Sequence, residues 1–328
     1  MATSVTQDQD FEKLERYRRE LTAHCYRMLG SPFEAEDAVQ DTLVRAWRNL
    51  EKFEGRSQLR SWLYRIATNV CLDMLKGRER RARPMDMGPA RPPDGALDTL
   101  PEYAWVEPIP DQLVAPPEDP AEVAESRETI RLAFVAALQH LPPRQRAVLL
   151  LCEVLKWKAS EVAELLETST ASVNSALQRA RATLDEHGVG VEDESASPAL
   201  DDESRELLDR YVAAFSSYDM ETLTSLIHED ATQSMPPYEL WLDNRTDILE
   251  FWQGPGHGCR NSKVIPVVDA NGRPAFGQYK PNPEGEGYVP WALQVVEIED
   301  GKIRELTFFL DTERVFPLFG LPLEYDGR

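Results

Sequence analysis

Between residues 34 and 184, apolar residues recur at helical spacing in several separate stretches. From Glu34 to Leu50, Val39, Leu43, Ala46, Trp47 and Leu50 fall on one stripe, which predicts an amphipathic helix. Ser31-Pro32 supplies its start, and Glu34, Glu36 and Asp37 sit at the positive end of the helix dipole. A second stripe, Leu59, Trp62, Leu63, Ile66, Val70 and Leu75, predicts a helix over 59–75. Its opposite face carries Arg60, Ser61, Arg65 and Asn69, and a basic run follows: Lys76, Arg78, Arg80, Arg81 and Arg83.

The pattern resumes at 126–140 with Ile130, Phe134, Ala137 and Leu138. Leu141-Pro142-Pro143-Arg144 then opens a helix with Ala147, Leu150, Leu151 and Val154 inside, since proline is tolerated in a first turn. Ser160 is expected to cap a short helix carrying Val162, Ala163, Leu165 and Leu166. A tight turn, Glu167-Thr168-Ser169, leads into a helix over 170–184. Val173, Leu177, Ala180 and Leu184 share its inner face, while Ala171, Ser175, Gln178 and Arg179 lie opposite. Short polar and Arg/Gln side chains on an outward face suit a major-groove reader, although any two-helix hairpin shows this periodicity.

Beyond residue 204 the periodicity changes. Helices are expected at 204–218 (Leu207, Leu208, Tyr211, Val212, Phe215) and 220–227. Strand-like runs follow at 231–235, 264–268, 274–279, 291–299 and 303–310, with Asp300-Gly301-Lys302 as a hairpin turn. Helices followed by a sheet predict an α+β unit in which a curved antiparallel sheet wraps on the helices.

Charge divides the chain at the same places. The 328 residues carry a net −21, which argues against a simple basic DNA coat or a polybasic membrane anchor. Residues 1–83 are net +3 and residues 126–187 net +1, whereas 84–125 are −9 and 188–328 are −16. Ten prolines between 84 and 120 predict an extended, non-helical linker. The small, acidic stretch from Gly188 to Ser204 reads as a second, solvated one. The longest apolar run, Ala147 to Cys152, is too short to span a bilayer, and the first twenty residues hold no apolar signal region. Cys25, Cys71, Cys152 and Cys259 form no CxxC pair, so neither a disulfide framework nor a thiolate metal site is expected, and the chain is read as cytoplasmic.

Specific stretches carry a family resemblance. EAEDAVQDTLVRAWRNLEKFEGRSQLRSWLYRIATNVCLDMLKGRERR closely resembles the polymerase-binding and promoter-melting domain of extracytoplasmic-function (group 4) sigma factors. The resemblance implies that Glu36, Asp37, Gln40, Asp41 and Arg45 dock on the clamp helices of the largest polymerase subunit. It implies that Arg56, Ser57, Gln58, Arg60, Ser61, Arg65 and Asn69 hold the non-template strand of the minus-ten element. A base read on its pairing edge must leave the stack, and a polar loop beside a rigid helix can form the pocket for it. Arg78, Arg80 and Arg81 would neutralise phosphates in a salt-dependent way. Trp62 and Tyr64 could stack bases, with Trp62 better read as core.

LPPRQRAVLLLCEVLKWKASEVAELLETSTASVNSALQRARATL looks like the minus-thirty-five-reading helix-turn-helix of the same family, which implies DNA contacts from Asn174, Ser175, Gln178, Arg179 and Arg181 and a partner in the flap of the second-largest subunit. The family commonly has Gly where this chain has Glu167, because the turn favours a left-handed backbone. Tyr103-Ala104-Trp105-Val106-Glu107-Pro108-Ile109-Pro110 resembles a Trp/Pro linker motif of sigma factors with an extra C-terminal domain. Three placements are open for it: against that domain, in the polymerase channel, or on the helical module.

YVAAFSSYDMETLTSLIHEDATQSMPP and QVVEIEDGKIRELTFFLD resemble SnoaL-like domains, whose fold is cone-shaped. Some relatives are cyclases or isomerases that use a pocket carboxylate in apolar surroundings. Asp230, His228, Asp243, His257 and Asp311, walled by Trp241, Trp252 and Trp291, are the conceivable equivalents, but they form no constellation, and the fold hosts many non-enzymes.

The domain assignment is 11–83, linker 84–120, helix-turn-helix domain 121–187, linker 188–203 and SnoaL-like domain 204–320. The expected function is an alternative sigma factor with a built-in C-terminal regulator. No cofactor, metal or catalysis is implied, and the partners are core RNA polymerase, promoter DNA and a possible small ligand. The other readings are a cyclase or isomerase fused to a DNA-binding pair, and a dimeric helix-turn-helix repressor on palindromic half-sites.

Overall fold

The computed structural model describes residues 11–50, 53, 58–114, 129–186 and 201–327. They fall into two compact units, one drawn from 1–81 and 112–196 and the other from 82–111 and 197–328.

In the first unit, α1 (Arg18–Leu29), α2 (Pro32–Asn49) and α3 (Leu59–Met74) pack around Leu21, Cys25, Met28, Val39, Leu43, Leu63 and Cys71. Each such side chain withdrawn from water contributes roughly 1.5–3 kcal/mol. Ser31 caps α2 by accepting from the Glu34 amide at 3.3 Å, with Pro32 in the first turn. Trp47 departs from the expected stripe and is 42% exposed. Eight residues at about 100° each put it about 80° round the helix from Val39, at the stripe's edge.

The same unit continues with α4 (Leu132–Gln139), α5 (Pro143–Leu149) running into a π turn (Leu150–Val154), α6 (Ala159–Leu165) and α7 (Thr170–Glu186). Val148, Leu151, Val162, Leu166 and Val173 form the core of the last four elements. Ser160 lies inside α6 and is not its cap: the helix starts one residue earlier, where Glu161 Oε2 accepts from the Lys158 amide at 2.8 Å. Ser169 caps α7 by accepting from the Ser172 amide at 3.1 Å. Glu167 takes the left-handed conformation that the turn demands, φ +51°.

In the second unit, α8 (Asp202–Ser217) and α9 (Met220–Leu226) precede β1 (Ile227–Ser234), β2 (Trp241–Leu242), α10 (Arg245–Gln253), β3 (Lys263–Pro266), β4 (Ala275–Pro281), β5 (Tyr288–Glu299), β6 (Lys302–Phe309) and α11 (Thr312–Leu318). The sheet order is β2-β1-β6-β5-β4-β3. Asp300 (φ +50°) and Gly301 (φ +69°) make the expected β5–β6 hairpin turn. The sheet is mixed, not wholly antiparallel, because β1 runs parallel to β6. No hairpin joins these two strands; most of the domain lies between them, which frees the later strand to return in the same direction. Tyr211, Phe215, Trp252, Phe276 and Phe308 fill the space between helices and sheet.

Residues 82–111 are an integral part of this second unit. The segment is not α-helical, but it is no free spacer. The Arg91 amide donates to Trp241 O (3.0 Å), Leu100 N to Pro237 O (3.0 Å), Glu239 N to Asp98 O (3.0 Å) and Asp111 N to Asp269 O (2.9 Å). Trp105, Val106 and Ile109 are buried. Of the three placements left open for the Trp/Pro motif, packing on the C-terminal domain is the one observed.

Candidate polymerase and promoter faces and the C-terminal cavity

The outward face of α2 presents Glu36, Asp37, Gln40 and Arg45 as exposed side chains, with Asp41 half-buried beside them. The helix repeat alone brings these five together, because 36, 37, 40, 41 and 45 lie opposite the buried Ala35, Ala38, Thr42 and Ala46. Asp41 pairs with Arg45 at 2.7 Å and Glu36 with Arg18 at 2.9 Å. Pairs this exposed hold geometry more than they hold the fold.

The minus-ten candidates separate into groups. Arg56 and Ser57 lie outside the described residues. Gln58 and Asn69 are exposed, and Ser61 is half-buried at the start of α3. Arg60 donates to Glu20 Oε2 at 2.6 Å and lies 5.2 Å from the Tyr64 ring centroid. Arg65 reaches across to α6, where Nη2 meets the backbone oxygen and Oε1 of Glu164 at 3.3 and 3.4 Å. Tyr64 is withdrawn from any base-stacking role: it is 1% exposed and packs edge-on against His24 and Trp157. Burial and the adjacent Glu20 carboxylate push its phenol well above the usual range. Trp62 stacks on Phe53 at 5.1 Å.

In the basic run, Arg78 and Arg80 are exposed and paired, Arg78 with Glu34 and Arg80 with His140. Arg81 is a correction to the expected phosphate-contacting set. It is 7% exposed and pairs with Glu34 at 3.1 Å, so its charge is spent inside the unit. The alternation of Arg80 and Arg81 across a chain leaving the helix turns one outward and the other inward, which a count of charges does not reveal.

All five minus-thirty-five candidates, Asn174, Ser175, Gln178, Arg179 and Arg181, are exposed on α7, while Val173, Ala180 and Leu184 are buried. Arg179 donates to Ser175 Oγ at 2.7 Å, and Arg181 pairs with Glu153. A helix locked on one side and lined with Asn, Ser, Gln and Arg on the other can offer bidentate donors and acceptors to base edges.

The buried polar groups of this unit were not anticipated. His24 is 1% exposed within hydrogen-bond range of Thr68 Oγ1 at 3.0 Å, and burial, with the Arg27 charge second, lowers its pKa to about 3. Arg146, 2% exposed, donates to Gln139 O and Leu141 O (3.2 Å each), to Gln139 Oε1 (2.5 Å) and to Met28 O. Burial lowers its pKa to about 9.

The conceivable catalytic groups of the C-terminal domain do not converge. Asp230 is exposed next to His228 on β1, Asp243 neighbours Asn244 before α10, and His257 lies edge-on to Tyr218. Trp252 is buried and donates to Gln233 Oε1 at 2.7 Å, and Trp241 donates to Gly88 O at 2.9 Å. The interior carries amides instead. Tyr211 Oη donates to Gln294 Oε1 (2.8 Å), Gln294 Nε2 to Gln278 Oε1 (2.9 Å) and Gln278 Nε2 to Ser262 Oγ (3.0 Å). Among the described residues of 201–327, no carboxylate is buried. Glutamine amides do not titrate and cannot serve as general bases.

Asp311 and Trp291 share a cavity. It measures about 450 Å³, and its walls include Trp105, Glu107, Tyr238, Trp291, Phe309 and Asp311. Burial and then the nearby Glu102 carboxylate raise the Asp311 pKa above its ordinary value. Glu102, Glu107 and Arg314 were missed as site residues, since nothing in a Pro-rich stretch signals which surface it will cover.

Comparison with known proteins agrees with this geometry. Residues 14–81 match Sigma-70 region 2, 131–184 match Sigma-70, region 4, and 208–306 match the SnoaL-like domain. The ECF RNA polymerase sigma factor SigG of Mycobacterium tuberculosis (strain ATCC 25618 / H37Rv) is 46% identical over 311 residues, covering 94% of this chain and 82% of that protein. SigJ of the same strain, also named an ECF RNA polymerase sigma factor, is 28% identical over 312 residues, covering 90% of this chain and 89% of its own length. The crystal structure of M. tuberculosis SigJ superposes with a TM-score of 0.61 at 22% identity, over 96% of this chain and 99% of that one, which speaks to the fold. By the span and identity of the SigG match, with both sigma regions present in order, this chain belongs to the ECF family of RNA polymerase sigma factors.

Proposed function

We propose that this factor engages core RNA polymerase through Glu36, Asp37, Gln40, Asp41 and Arg45 on α2, seated on the clamp helices of the largest subunit. The helix-turn-helix would sit on the flap of the second-largest subunit, with Asn174, Ser175, Gln178 and Arg179 turned to the minus-thirty-five element. Gln58, Arg60, Ser61, Arg65 and Asn69, with Arg56 and Ser57, would hold the opened minus-ten strand, and Arg78 and Arg80 its backbone. This work belongs in the cytoplasm, where core polymerase is found; no helix among the described residues is long and apolar enough to cross a membrane.

Two weak DNA contacts borne on one large partner act at high effective concentration, so neither head needs a strong field of its own. A net −21 chain can therefore work on DNA.

The C-terminal domain is read as a built-in regulator. One observation supports this: the segment that joins the two reading heads in sequence is folded as part of the C-terminal unit. A linker held at several backbone hydrogen bonds cannot also extend freely, so the state of that domain sets how much chain the heads have between them. Run-off transcription with core enzyme tests both parts. The full-length chain and one ending at Ser195 should both copurify with core polymerase but differ in transcript yield or promoter affinity. Equal values remove the regulatory role, and failure to copurify removes the placement on polymerase.

A further inference from the structure

The cavity of the second unit lies beside the packed core. Tyr211, Phe215, Trp252, Phe276 and Phe308 already fill the space between helices and sheet. The cavity, of about 450 Å³, opens instead at the ends of strands: after β1 at Pro236, Pro237 and Tyr238, at the start of β5 at Pro290 and Trp291, and at the end of β6 at Phe309. The linker segment completes it with Trp105 and Pro108. The volume lies in the range of metabolite sites and exceeds what a single ring fills.

The walls are flat, apolar and poor in hydrogen-bond donors. Pro108, Pro236, Pro237 and Pro290 line the cavity, and none of them brings a backbone N–H. Trp105, Tyr238, Trp291 and Phe309 add aromatic side chains, and pairing with a further aromatic ring gains more than the buried area alone. The charges along the wall are already engaged. Arg314 lies 3.2 Å from Glu107 and 3.5 Å from Asp311 and contacts Glu102 directly. Glu102, Glu107 and Arg314 have further partners besides. The Lys280 ammonium sits 3.6 Å from the centroid of the Trp291 ring. An entering cation would compete with Arg314 and Lys280, an anion would meet three carboxylates, and either would lose its hydration against apolar walls. An uncharged body meets neither cost. Tyr238 and Thr312 offer it neutral hydroxyls that can donate or accept.

We propose that this cavity binds an uncharged aromatic molecule of more than one ring, its rings against Trp105 and Trp291 and a hydroxyl toward Tyr238 and Thr312. Because Trp105 and Pro108 come from the linker, the complete site exists only while the linker lies on the domain. A ligand that binds only that state stabilises it by mass action. This consequence rests on the regulatory reading of the domain; the site itself does not.

The test uses the full-length protein alone, titrated calorimetrically with probes of similar size: 2-naphthol, its saturated counterpart 2-decalol, the anion 2-naphthoate and the cation 2-naphthylmethylammonium. 2-Naphthol should saturate by millimolar concentration, about tenfold or more tighter than either charged probe and about threefold or more tighter than 2-decalol. Trp291→Leu and Tyr238→Leu should each weaken it about fivefold, whereas Trp47→Leu, on α2 of the other unit, should not. Thermal melts show which variants fold, and the ranking of probes on the parent protein decides the chemistry even where a variant does not. No saturation by 2-naphthol at millimolar concentration, a charged probe or 2-decalol binding as well as 2-naphthol, or indifference of a folded cavity variant overturns the proposal. Binding with unchanged transcription supports the site and removes the regulatory consequence, so the two fail separately.

Discussion

Ile109 and Asn271 exchange two hydrogen bonds: the Ile109 amide donates to Asn271 Oδ1 at 3.0 Å, and the Asn271 amide donates to Ile109 O at 3.1 Å. Both residues are fully buried. Asn271 has φ +54° and Gly272 φ +73°, so the pair forms the tight turn between β3 and β4 while its side chain captures the linker. These two roles can be separated. Asn271→Gly keeps the left-handed backbone and removes the side chain that accepts from the Ile109 amide. It is expected to cost about 1–3 kcal/mol, the penalty of leaving the Ile109 amide unmet. Limited proteolysis should then cut within 82–111 sooner than in the parent protein, with cleavage inside β4–β6 unchanged.

A second prediction comes from the helix-turn-helix turn. Glu167 sits at φ +51°, a conformation that costs a residue with a side chain roughly 1–2 kcal/mol. Glu167→Gly relieves this, less the extra freedom that glycine gives the unfolded chain. The net expectation is a gain of about 0.5–1 kcal/mol in the denaturation of the first unit. An unchanged or lowered denaturation midpoint would show that the turn is not strained.

These two turns show what the sequence made legible and what it hid. The family's glycine at the Glu167 position points to a left-handed residue, and the apolar face of α7 separates Val173, Ala180 and Leu184 from the five outward candidates. The Asn271-Gly272 pair between the strand-like runs 264–268 and 274–279 is an equally plain hairpin signal, and β3 and β4 pair antiparallel across it. Helix α10 was not expected, although Asn244, which accepts from the Asp247 amide at 2.9 Å, stands as a capping residue ahead of Ile248, Phe251 and Trp252. By contrast, α1 buries Thr22, His24 and Arg27, and polar residues on the inner face blur the stripe that periodicity needs. The fate of 82–111 was least legible. Proline excludes a helix, but the partners of an extended chain are chosen by tertiary contacts.

Buried His24 makes the first unit sensitive to acid. Its pKa in the folded state, about 3, lies below the ordinary 6.5, so between these values the unfolded chain holds a proton that the native one lacks. Stability is complete above pH 6.5 and falls as pH drops toward 3, at most about 1.4 kcal/mol per unit. Between pH 7 and pH 5 this one group should remove roughly 2 kcal/mol. Urea midpoints at the two pH values, measured for the parent and for His24→Gln, should show this part of the slope only in the parent.

Arg81 and the outward residues of α7 should separate stability from recognition. Gln178→Ala and Arg179→Ala remove groups placed to read base edges, so each should cost about 1–3 kcal/mol in discrimination at one position of the minus-thirty-five element. Arg181→Ala is a phosphate-type change: binding by the polymerase-bound factor should weaken on all sequences and the salt slope fall by about 1. Arg81→Gln should do neither. Its guanidinium is inside, against Glu34, and removing one partner of a buried pair destabilises by roughly 3–5 kcal/mol where the burial is complete. The first unit should therefore melt earlier while the salt dependence of promoter binding, measured below the melting temperature, stays as in the parent. A reduced salt slope for Arg81→Gln would return that residue to the DNA face.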